Sequence, residues 1–295
     1  MYNPGDDVTG TISLHAEKEV KMKEVTVLLA GWCETRWVSD SGGDQKVYKA
    51  KEEYCSDKLT LWGGKDQEVG IAIGTHQKEF RFQLPTNCPS SYESKNGHVY
   101  YMVQVLCKIQ GILNDQWESK RFRVYDKVDL SANRDYAELL LRPLHVDEEQ
   151  ENESCLCLGK ATLQADLTFD KSAYAPGDCI YLNGHIFNGC DKALECTFTL
   201  KQGATCFGRT SDLISVSELK SKEKSVGLSS WQPPKLTPRE TREFKNEEIF
   251  TIAENTQASG LRNCNLIELE YYIEVSISSL NLTDIDYCVT VQTKP

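Results

Sequence analysis

The amino-acid sequence predicts an all-β protein made of two tandem antiparallel β-sandwiches. Two observations carry this prediction: a turn motif that occurs once in each half of the chain, and short runs of alternating apolar residues separated by Gly and Pro. No run has the spacing of apolar residues that would predict an amphipathic helix. At 295 residues the chain is long enough for two domains of ordinary size, each with its own core.

The repeated motif is Tyr-x-Pro-Gly-Asp, present at residues 2–6 and again at residues 174–178. In each copy the Pro presets the turn, the Gly permits the positive φ that follows, and the Asp can hydrogen-bond nearby backbone groups. Apolar residues and one Gly alternate with other residues after each turn, which predicts a half-buried strand. These residues are Val8, Gly10, Ile12 and Leu14 in the first copy, and Ile180, Leu182, Gly184 and Ile186 in the second.

A second pair of matching segments supports the duplication. Residues 99–105 and 269–275 both have strand-like alternation around two adjacent Tyr, at nearly the interval that separates the turns. We therefore predict one sandwich over residues 1–130 and another over residues 155–295. The alternation fades over residues 131–154, which end in an acidic tract, and this predicts a solvated inter-domain linker.

Composition argues against several functional classes. Lys and Arg number 33 against 44 Asp and Glu, and the resulting net charge of −11 disfavours a large nucleic-acid interface. The sequence contains neither an apolar run of roughly 18 residues, as a membrane span requires, nor the pattern of a signal peptide. We therefore expect a soluble cytoplasmic protein whose cysteines are free thiols.

The search for catalytic and metal-binding motifs finds none. The five His are not spaced as metal ligands, and no nucleophile elbow or Gly-rich phosphate loop occurs. Cys155 and Cys157 form a close pair, but no second pair or nearby His completes a zinc site. We expect no enzymatic activity, no metal and no cofactor.

Further short motifs follow one another in a specific order. The first half contains G-T-H at residues 74–76, F-R-F-Q-L-P at 80–85, P-S-S-Y-E at 89–93 and G-H-V-Y-Y at 97–101. The second half contains C-N-L-I-E-L-E-Y at residues 264–271. In this order, and together with the two turns, the motifs resemble those of the alpha-arrestins, the arrestin-domain-containing group. The resemblance covers nearly the whole chain and implies the arrestin fold, a pair of immunoglobulin-like β-sandwiches.

The resemblance implies an adaptor that binds cytoplasmic tails of membrane receptors or transporters and recruits HECT-type ubiquitin ligases or endocytic machinery. Such a protein works in the cytoplasm and is recruited to the plasma membrane and endosomes, where it associates peripherally. In the family the ligase binds a P-P-x-Y motif in a tail after the second domain. Here Pro233 and Pro234 lack the following Tyr, and the sequence ends at Pro295, so ligase recruitment is implied by kinship alone.

Three features depart from the family pattern. Only Met1 precedes the first turn, whereas a strand is predicted at residues 163–169 before the second, so we expect the first sandwich to lack its first strand. Asp126 stands where the visual and beta-arrestins bury a phosphate-sensing Arg, so we do not expect phosphate to release a buried ionic core. Leu228 stands three residues before Trp231, where the thioredoxin-interacting member has a Cys, so thioredoxin capture at that position is not expected.

Position within the family pattern also suggests where cargo binds. The polar stretch after Trp37 is predicted to be a long exposed loop, and it corresponds to the crest loop with which arrestins meet receptors. Its candidate cargo-binding residues are Trp37, Lys46, Lys49 and Lys51. The alternative is a solvated hairpin tip.

Two arginines on a strand of the first domain form the second candidate region. Arg121 and Arg123 could supply positive charge to an acidic or phosphorylated tail. A solvated outer strand face explains the same residues equally well.

Two other functions stay open at this stage. One is a structural subunit of an endosomal sorting coat, since retromer-type subunits also use an arrestin-like pair of sandwiches. The other is an extracellular adhesion module, which would require export and disulfides.

Overall fold

The computed structural model shows an all-β, antiparallel protein, which confirms the predicted fold class. It describes residues 1–41, 44–64, 68–111, 115–126, 142–153, 160–210 and 220–279. The chain divides into two compact units. The first comprises Met1–Lys127, Thr205–Lys222 and Leu261–Glu268, and the second comprises Val128–Ala204, Glu223–Gly260 and Leu269–Pro295. Two segments from the second half of the sequence therefore belong to the first unit.

Eight strands from the first part of the chain build the first unit. They are β1 (Asp7–Ala16), β2 (Val20–Ser41), β3 (Asp44–Gly63), β4 (Val69–Ile71), β5 (Gly74–Gln83), β6 (Tyr92–Glu93), β7 (Gly97–Ile109) and β8 (Gln116–Phe122). One sheet pairs β1 with β5. In the other sheet β2 lies between β3 and β7, and β8 pairs with β7. The odd-numbered residues Val25, Val27 and Leu29 of β2 are completely buried, so this strand supplies the centre of the core.

Seven further strands follow. They are β9 (Leu144–Glu153), β10 (Lys160–Phe169), β11 (Cys179–Asn188), β12 (Leu194–Thr210), β13 (Lys220–Trp231), β14 (Thr241–Thr251) and β15 (Ile267–Ser279). In the second unit β14, β11, β10 and β9 form one sheet in that order, and β12 pairs with β13 and β15. Phe198, Leu182 and Phe169 are among the fully buried side chains of its core.

The two repeated turns have the same structure, as predicted from the motif. Gly5 and Gly177 have φ values of 84° and 91°, respectively. In the first turn the Asp6 carboxylate accepts a 2.7 Å hydrogen bond from the Asn3 N–H, and the Asp178 carboxylate accepts the equivalent 3.1 Å bond from Ala175. Because the strands that follow also alternate between buried and less buried residues, the duplication is visible in backbone, hydrogen bonds and burial alike.

The acidic tract contains a strand that we had not predicted. Residues 144–153, within the expected linker, form β9 and pair with β10. Leu144 and Val146 pack against the core of the second unit, while Asp147 and Glu148 are exposed. The strand was missed because Leu144 and Val146 are the only alternating apolar residues in an otherwise acidic segment. Charged residues on an outermost strand protect it against edge-to-edge pairing with another chain. The pair Cys155 and Cys157 lies outside the described residues.

Gly184 provides a test of the packing in the second unit. Its φ is +116°, and a Cβ atom there would lie 2.0 Å from the backbone oxygen of Asp166 on the neighbouring strand β10. Gly184→Ala should therefore lower the free energy of unfolding by about 2 kcal/mol or more, because neither the backbone angle nor the neighbouring carbonyl can accommodate the methyl group. Urea unfolding followed by fluorescence measures the change.

Gly70→Ala is the matched control, because the nearest atom to its Cβ would be 3.9 Å away. The urea midpoint of this variant should stay close to that of the unmodified protein. Equal midpoints for the two variants would contradict the described packing around Gly184.

Candidate functional site

The predicted loop after Trp37 is in fact part of a long β-hairpin. β2 and β3 pair without interruption from Cys33↔Glu52 to Ser41↔Asp44. The prediction of a long loop was therefore wrong, because β2 and β3 are paired strands over this stretch. The composition of this stretch resembles that of a loop because most outward positions of both strands are polar, while the inward positions hold few aliphatic residues.

Trp37 lies on the inward face of this hairpin. Its side chain is 6% exposed and stacks on the Tyr48 ring, with 5.3 Å between ring centroids and 10° between ring planes. A Cβ atom added at Gly208 would lie 2.9 Å from the Trp37 ring, so the backbone of Gly208 packs closely on the same ring. These contacts give Trp37 a structural role, and its ring is not part of the exposed surface.

The register of the hairpin separates the three candidate lysines. Lys51 is opposite Glu34 and Lys49 is opposite Arg36, on the outward face. Lys46 is opposite Ser39, and therefore belongs to the other face because side chains alternate along a strand. All three lysines are exposed, but only Lys49 and Lys51 share a surface.

Lys51 and Arg121, which were predicted as separate candidates, lie at the two ends of one row of side chains. The Lys51 Nζ atom lies 4.9 Å from the centroid of the Trp32 ring. Trp32 contacts Tyr100 edge to face at 4.7 Å, and the Arg121 guanidinium lies 4.4 Å from the Tyr100 centroid. We call these four residues the cation–aromatic ladder. It crosses β3, β2, β7 and β8 on the outward face of the sheet.

His98 and Glu34 occupy the next positions on the same face. The His98 ring stacks on Tyr100 at 4.2 Å, and its Nε2 atom lies 3.9 Å from the Glu34 carboxylate. Burial lowers the pKa of His98 below its usual value, and the positive charge of Arg121 adds to this effect although Glu34 opposes it. The neutral ring is therefore the favoured form at neutral pH, and the cations of this row are Lys51 and Arg121.

Arg123 directly follows β8 and is exposed two residues beyond Arg121. Its backbone oxygen accepts a 3.0 Å hydrogen bond from the Tyr2 N–H, which holds this segment against the start of the chain. Sequence reasoning did not select Trp32 or Tyr100. The pattern that could have identified them is an aromatic residue at an outward position on each of two predicted neighbouring strands.

A second cluster of charged residues lies at the end of the first unit. Asp126 is 9% exposed and pairs in a bidentate manner with Arg262, at 2.7 Å from Nε to Oδ2 and 2.6 Å from the terminal nitrogen to Oδ1. The Asp126 N–H also donates a 2.8 Å hydrogen bond to the Ser90 hydroxyl. Arg262 belongs to the segment Leu261–Glu268, so this ion pair fastens a distant part of the sequence to the first unit.

No group of three or more His, Cys, Asp or Glu side chains suited to hold a metal ion occurs among the described residues. Over the same residues, the structure contains no helix long and apolar enough to cross a membrane.

Comparison with known protein families assigns the chain to one of them. Residues 1–131 match the family model described as Arrestin (or S-antigen), N-terminal domain, and residues 159–292 match Arrestin (or S-antigen), C-terminal domain. The chain belongs to the arrestin family. Relatives of this arrestin include Arrestin domain-containing protein 17 of Caenorhabditis elegans, 22% identical over 94% of the chain and 64% of the relative.

Two human proteins are also similar to this arrestin. Arrestin domain-containing protein 5 is 23% identical over 66% of the chain and 56% of its own length, and Arrestin domain-containing protein 1 is 21% identical over 96% of the chain and 60% of its own length. The arrestin described here therefore spans less than two thirds of the length of these relatives.

Asp126, which was expected to depart from the phosphate-sensing Arg of the visual and beta-arrestins, has a basic partner in the structure, Arg262. Sequence reasoning could not find this partner, because Arg262 lies 136 residues away.

Replacing Arg262 by Ala should lower the free energy of unfolding by about 1–3 kcal/mol, because the nearly buried Asp126 carboxylate loses two charge-assisted hydrogen bonds. The partial exposure of the Arg262 side chain, 56%, keeps the expected loss below that of a fully buried pair. Urea unfolding midpoints measure it.

The control is Arg81→Ala, which breaks an ion pair with Asp7 in the same unit whose Arg side chain is 72% exposed. Its midpoint should hardly change, because solvent screens an exposed pair. A midpoint for Arg262→Ala no lower than that of Arg81→Ala would show that the Asp126 contact does not stabilise the fold.

Proposed function

We propose that this arrestin is a non-enzymatic adaptor that binds cytoplasmic regions of membrane receptors or transporters and connects them to ubiquitin ligases or the endocytic machinery. Membership of the arrestin family and relatives named arrestin domain-containing proteins support an adaptor role. The ligase connection rests on kinship. The proposed site of action is the cytoplasm, with recruitment to the plasma membrane and endosomes. We keep residues 1–130 and 155–295 as the proposed domains; of the segment 131–154 between them, residues 144–153 form β9, which pairs with β10 of the second unit.

The observation that carries the docking part of the proposal is the cation–aromatic ladder. Both cations rest on aromatic rings, which restricts their movement, yet Lys51 and Arg121 remain exposed. Lys49 and Arg36 extend the basic character of this face along the hairpin. Such a surface suits an acidic or phosphorylated segment, since charge-assisted hydrogen bonds to carboxylate or phosphate are strong and oriented.

The distance between the two cations of the ladder suggests how far apart the anionic groups of such a segment would be. Along the ladder the Lys51 Nζ lies 4.9 Å from the Trp32 ring, the Trp32 and Tyr100 rings are 4.7 Å apart, and the Arg121 guanidinium lies 4.4 Å from the Tyr100 ring. The two charged groups are therefore at most about 14 Å apart. An extended peptide rises about 3.4 Å per residue, so anionic side chains about four residues apart would reach both cations. We therefore propose a tail with two anionic groups at that spacing as the preferred ligand.

A synthetic peptide with two phosphoserines four residues apart tests the docking surface by fluorescence anisotropy. The double variant Lys51→Glu/Arg121→Glu should weaken binding about tenfold or more, equivalent to about 1.4 kcal/mol, because both anionic groups lose their cations. Higher salt should weaken binding to the unmodified protein, since the contacts are exposed.

Lys46→Glu/Lys120→Glu is the charge-matched control, because it changes one lysine on each of the same two strands, on the opposite face. This control should bind within about twofold of the unmodified protein, since a remote exposed charge is screened. If both double variants lost the same affinity for the peptide, the loss would be a nonspecific effect of net charge, and the ladder would be rejected as the docking site.

Affinity capture of the full protein from cells separates the adaptor from the coat subunit. An adaptor should co-purify integral membrane proteins and trafficking or ligase components at low, salt-sensitive occupancy. Stable stoichiometric recovery of coat subunits without membrane cargo would overturn the adaptor role.

A further inference from the structure

The outward face that carries the cation–aromatic ladder also carries a row of apolar side chains. Even-numbered residues of β2 and β7 and odd-numbered residues of β8 share this face, because Ala30 is opposite Met102 and Met102 is opposite Arg121 of the ladder. Along the strands, away from Lys51, apolar residues occupy adjoining positions of the three strands. We call these residues the apolar stripe: Leu28, Ala30, Met102, Leu106 and Trp117.

Trp117 is the most exposed member of the apolar stripe. It lies on β8 and is 67% exposed. Leu106 of β7 is directly opposite, and side chains so placed have Cβ atoms roughly 5 Å apart. Leu28, Met102 and Leu106 are half-buried, and only Ala30 is buried. The folded first unit therefore leaves a large aromatic ring and neighbouring aliphatic side chains accessible on this face.

The two ends of the apolar stripe differ in charge. At the end away from the ladder, Glu24 pairs with both Lys58 and Lys108, each at 3.3 Å, so that the positive charge of these lysines is partly balanced. At the other end, Arg121 rests on the Tyr100 ring and stays exposed. An anionic segment is therefore attracted to the ladder end, and residues that adjoin its anionic groups would lie over the stripe.

We propose that the apolar stripe is a specificity subsite that takes a bulky aliphatic side chain of the same acidic or phosphorylated tail. This inference rests on the proposed docking function of the ladder. Trp117 precedes Arg121 by four residues of β8, or roughly 13 Å at about 3.4 Å per residue. A tail residue four positions from the anionic group at Arg121 would reach the Trp117 ring. The preferred tail thus combines two anionic groups with a leucine-like residue at the same spacing.

The subsite would distinguish tails that the two cations alone cannot. Exposed charge contacts are screened by salt and accept acidic segments of many sequences. Burial of apolar surface, in contrast, requires an apolar side chain at the correct position and contributes in proportion to the area covered. Trp is among the residues that most often anchor protein interfaces, and Trp117 offers such an anchor beside Arg121.

A symmetric peptide tests the subsite whichever direction the tail takes along β8. It has two phosphoserines four residues apart, with leucine four residues before the first and four residues after the second. A comparison peptide has alanine at both leucine positions. In fluorescence anisotropy the leucine peptide should bind the unmodified protein about fivefold more tightly, because its side chain covers apolar surface. In Trp117→Ala this ratio should fall below about twofold, since most of that surface is removed.

Ile73→Ala is the matched control, because Ile73 is 71% exposed in the connection between β4 and β5, outside the apolar stripe. This variant should keep the ratio of the unmodified protein. Equal binding of the two peptides to the unmodified protein, or the same fall in both variants, would overturn the subsite.

The Lys51→Glu/Arg121→Glu variant separates failure of the subsite from failure of the docking surface. If it weakens binding while the leucine and alanine peptides bind equally to the unmodified protein, the docking surface stands and the subsite alone is rejected. If it leaves binding unchanged, or if neither peptide binds the unmodified protein, the docking surface is rejected and the subsite with it.

A crosslinking peptide provides a measurement on the unmodified protein. Benzoylphenylalanine in place of the leucines should attach to Trp117, Leu106 or Met102, and attachment only to residues outside the apolar stripe would reject the subsite. Vesicles of phosphatidylcholine and phosphatidylserine test a membrane as the alternative partner. Loss of vesicle binding in Trp117→Ala, with an unchanged ratio between the two peptides, would assign the stripe to a lipid surface and overturn the proposal.

Discussion

The register of β2 against β3 and β7 determines the function of nearly every residue from Trp32 to Trp37. Odd-numbered residues point inward and even-numbered residues point outward. A slip of one residue in β2 would exchange the two faces of this strand, turning Trp32 of the ladder inward and Cys33 and Trp37 outward. Core packing prevents such a slip, because Val25, Val27 and Leu29 on the same strand have no exposed surface.

The inward face also receives segments from the second half of the sequence. The Thr35 hydroxyl donates a 2.5 Å hydrogen bond to the backbone oxygen of Phe207, and the Phe207 N–H donates to the backbone oxygen of Leu266. Together with Asn265 on Glu52, these bonds complete the first unit with residues distant in sequence. The hairpin thus serves two purposes: one face holds the unit together, and the other presents cations and aromatic rings to solvent.

Local chemistry made the repeated turns and their strands predictable from the sequence. A Pro, a Gly and an Asp at fixed spacing have few alternative structures, and the apolar alternation of β1 and β11 follows directly after them. The hairpin around Trp37 and the strand β9 were not predictable in the same way, because charged residues at outward positions resemble those of loops. Local sequence patterns do not identify partners that lie far apart in the sequence: nothing in the sequence pairs Asp126 with Arg262, or Glu52 with Asn265.

The central functional claim is that the outward face of this hairpin and of β8 docks cytoplasmic segments of membrane proteins. A photo-crosslinking amino acid at Ser119, on the outward face two residues before Arg121, tests it in living cells against the same amino acid at Glu118 on the opposite face. Mass spectrometry then identifies the captured proteins and the residues joined. We expect position 119, and not position 118, to capture cytoplasmic segments of integral membrane proteins that contain acidic or phosphorylated residues. Capture of the same proteins from both positions, or of coat subunits alone from position 119, would contradict it.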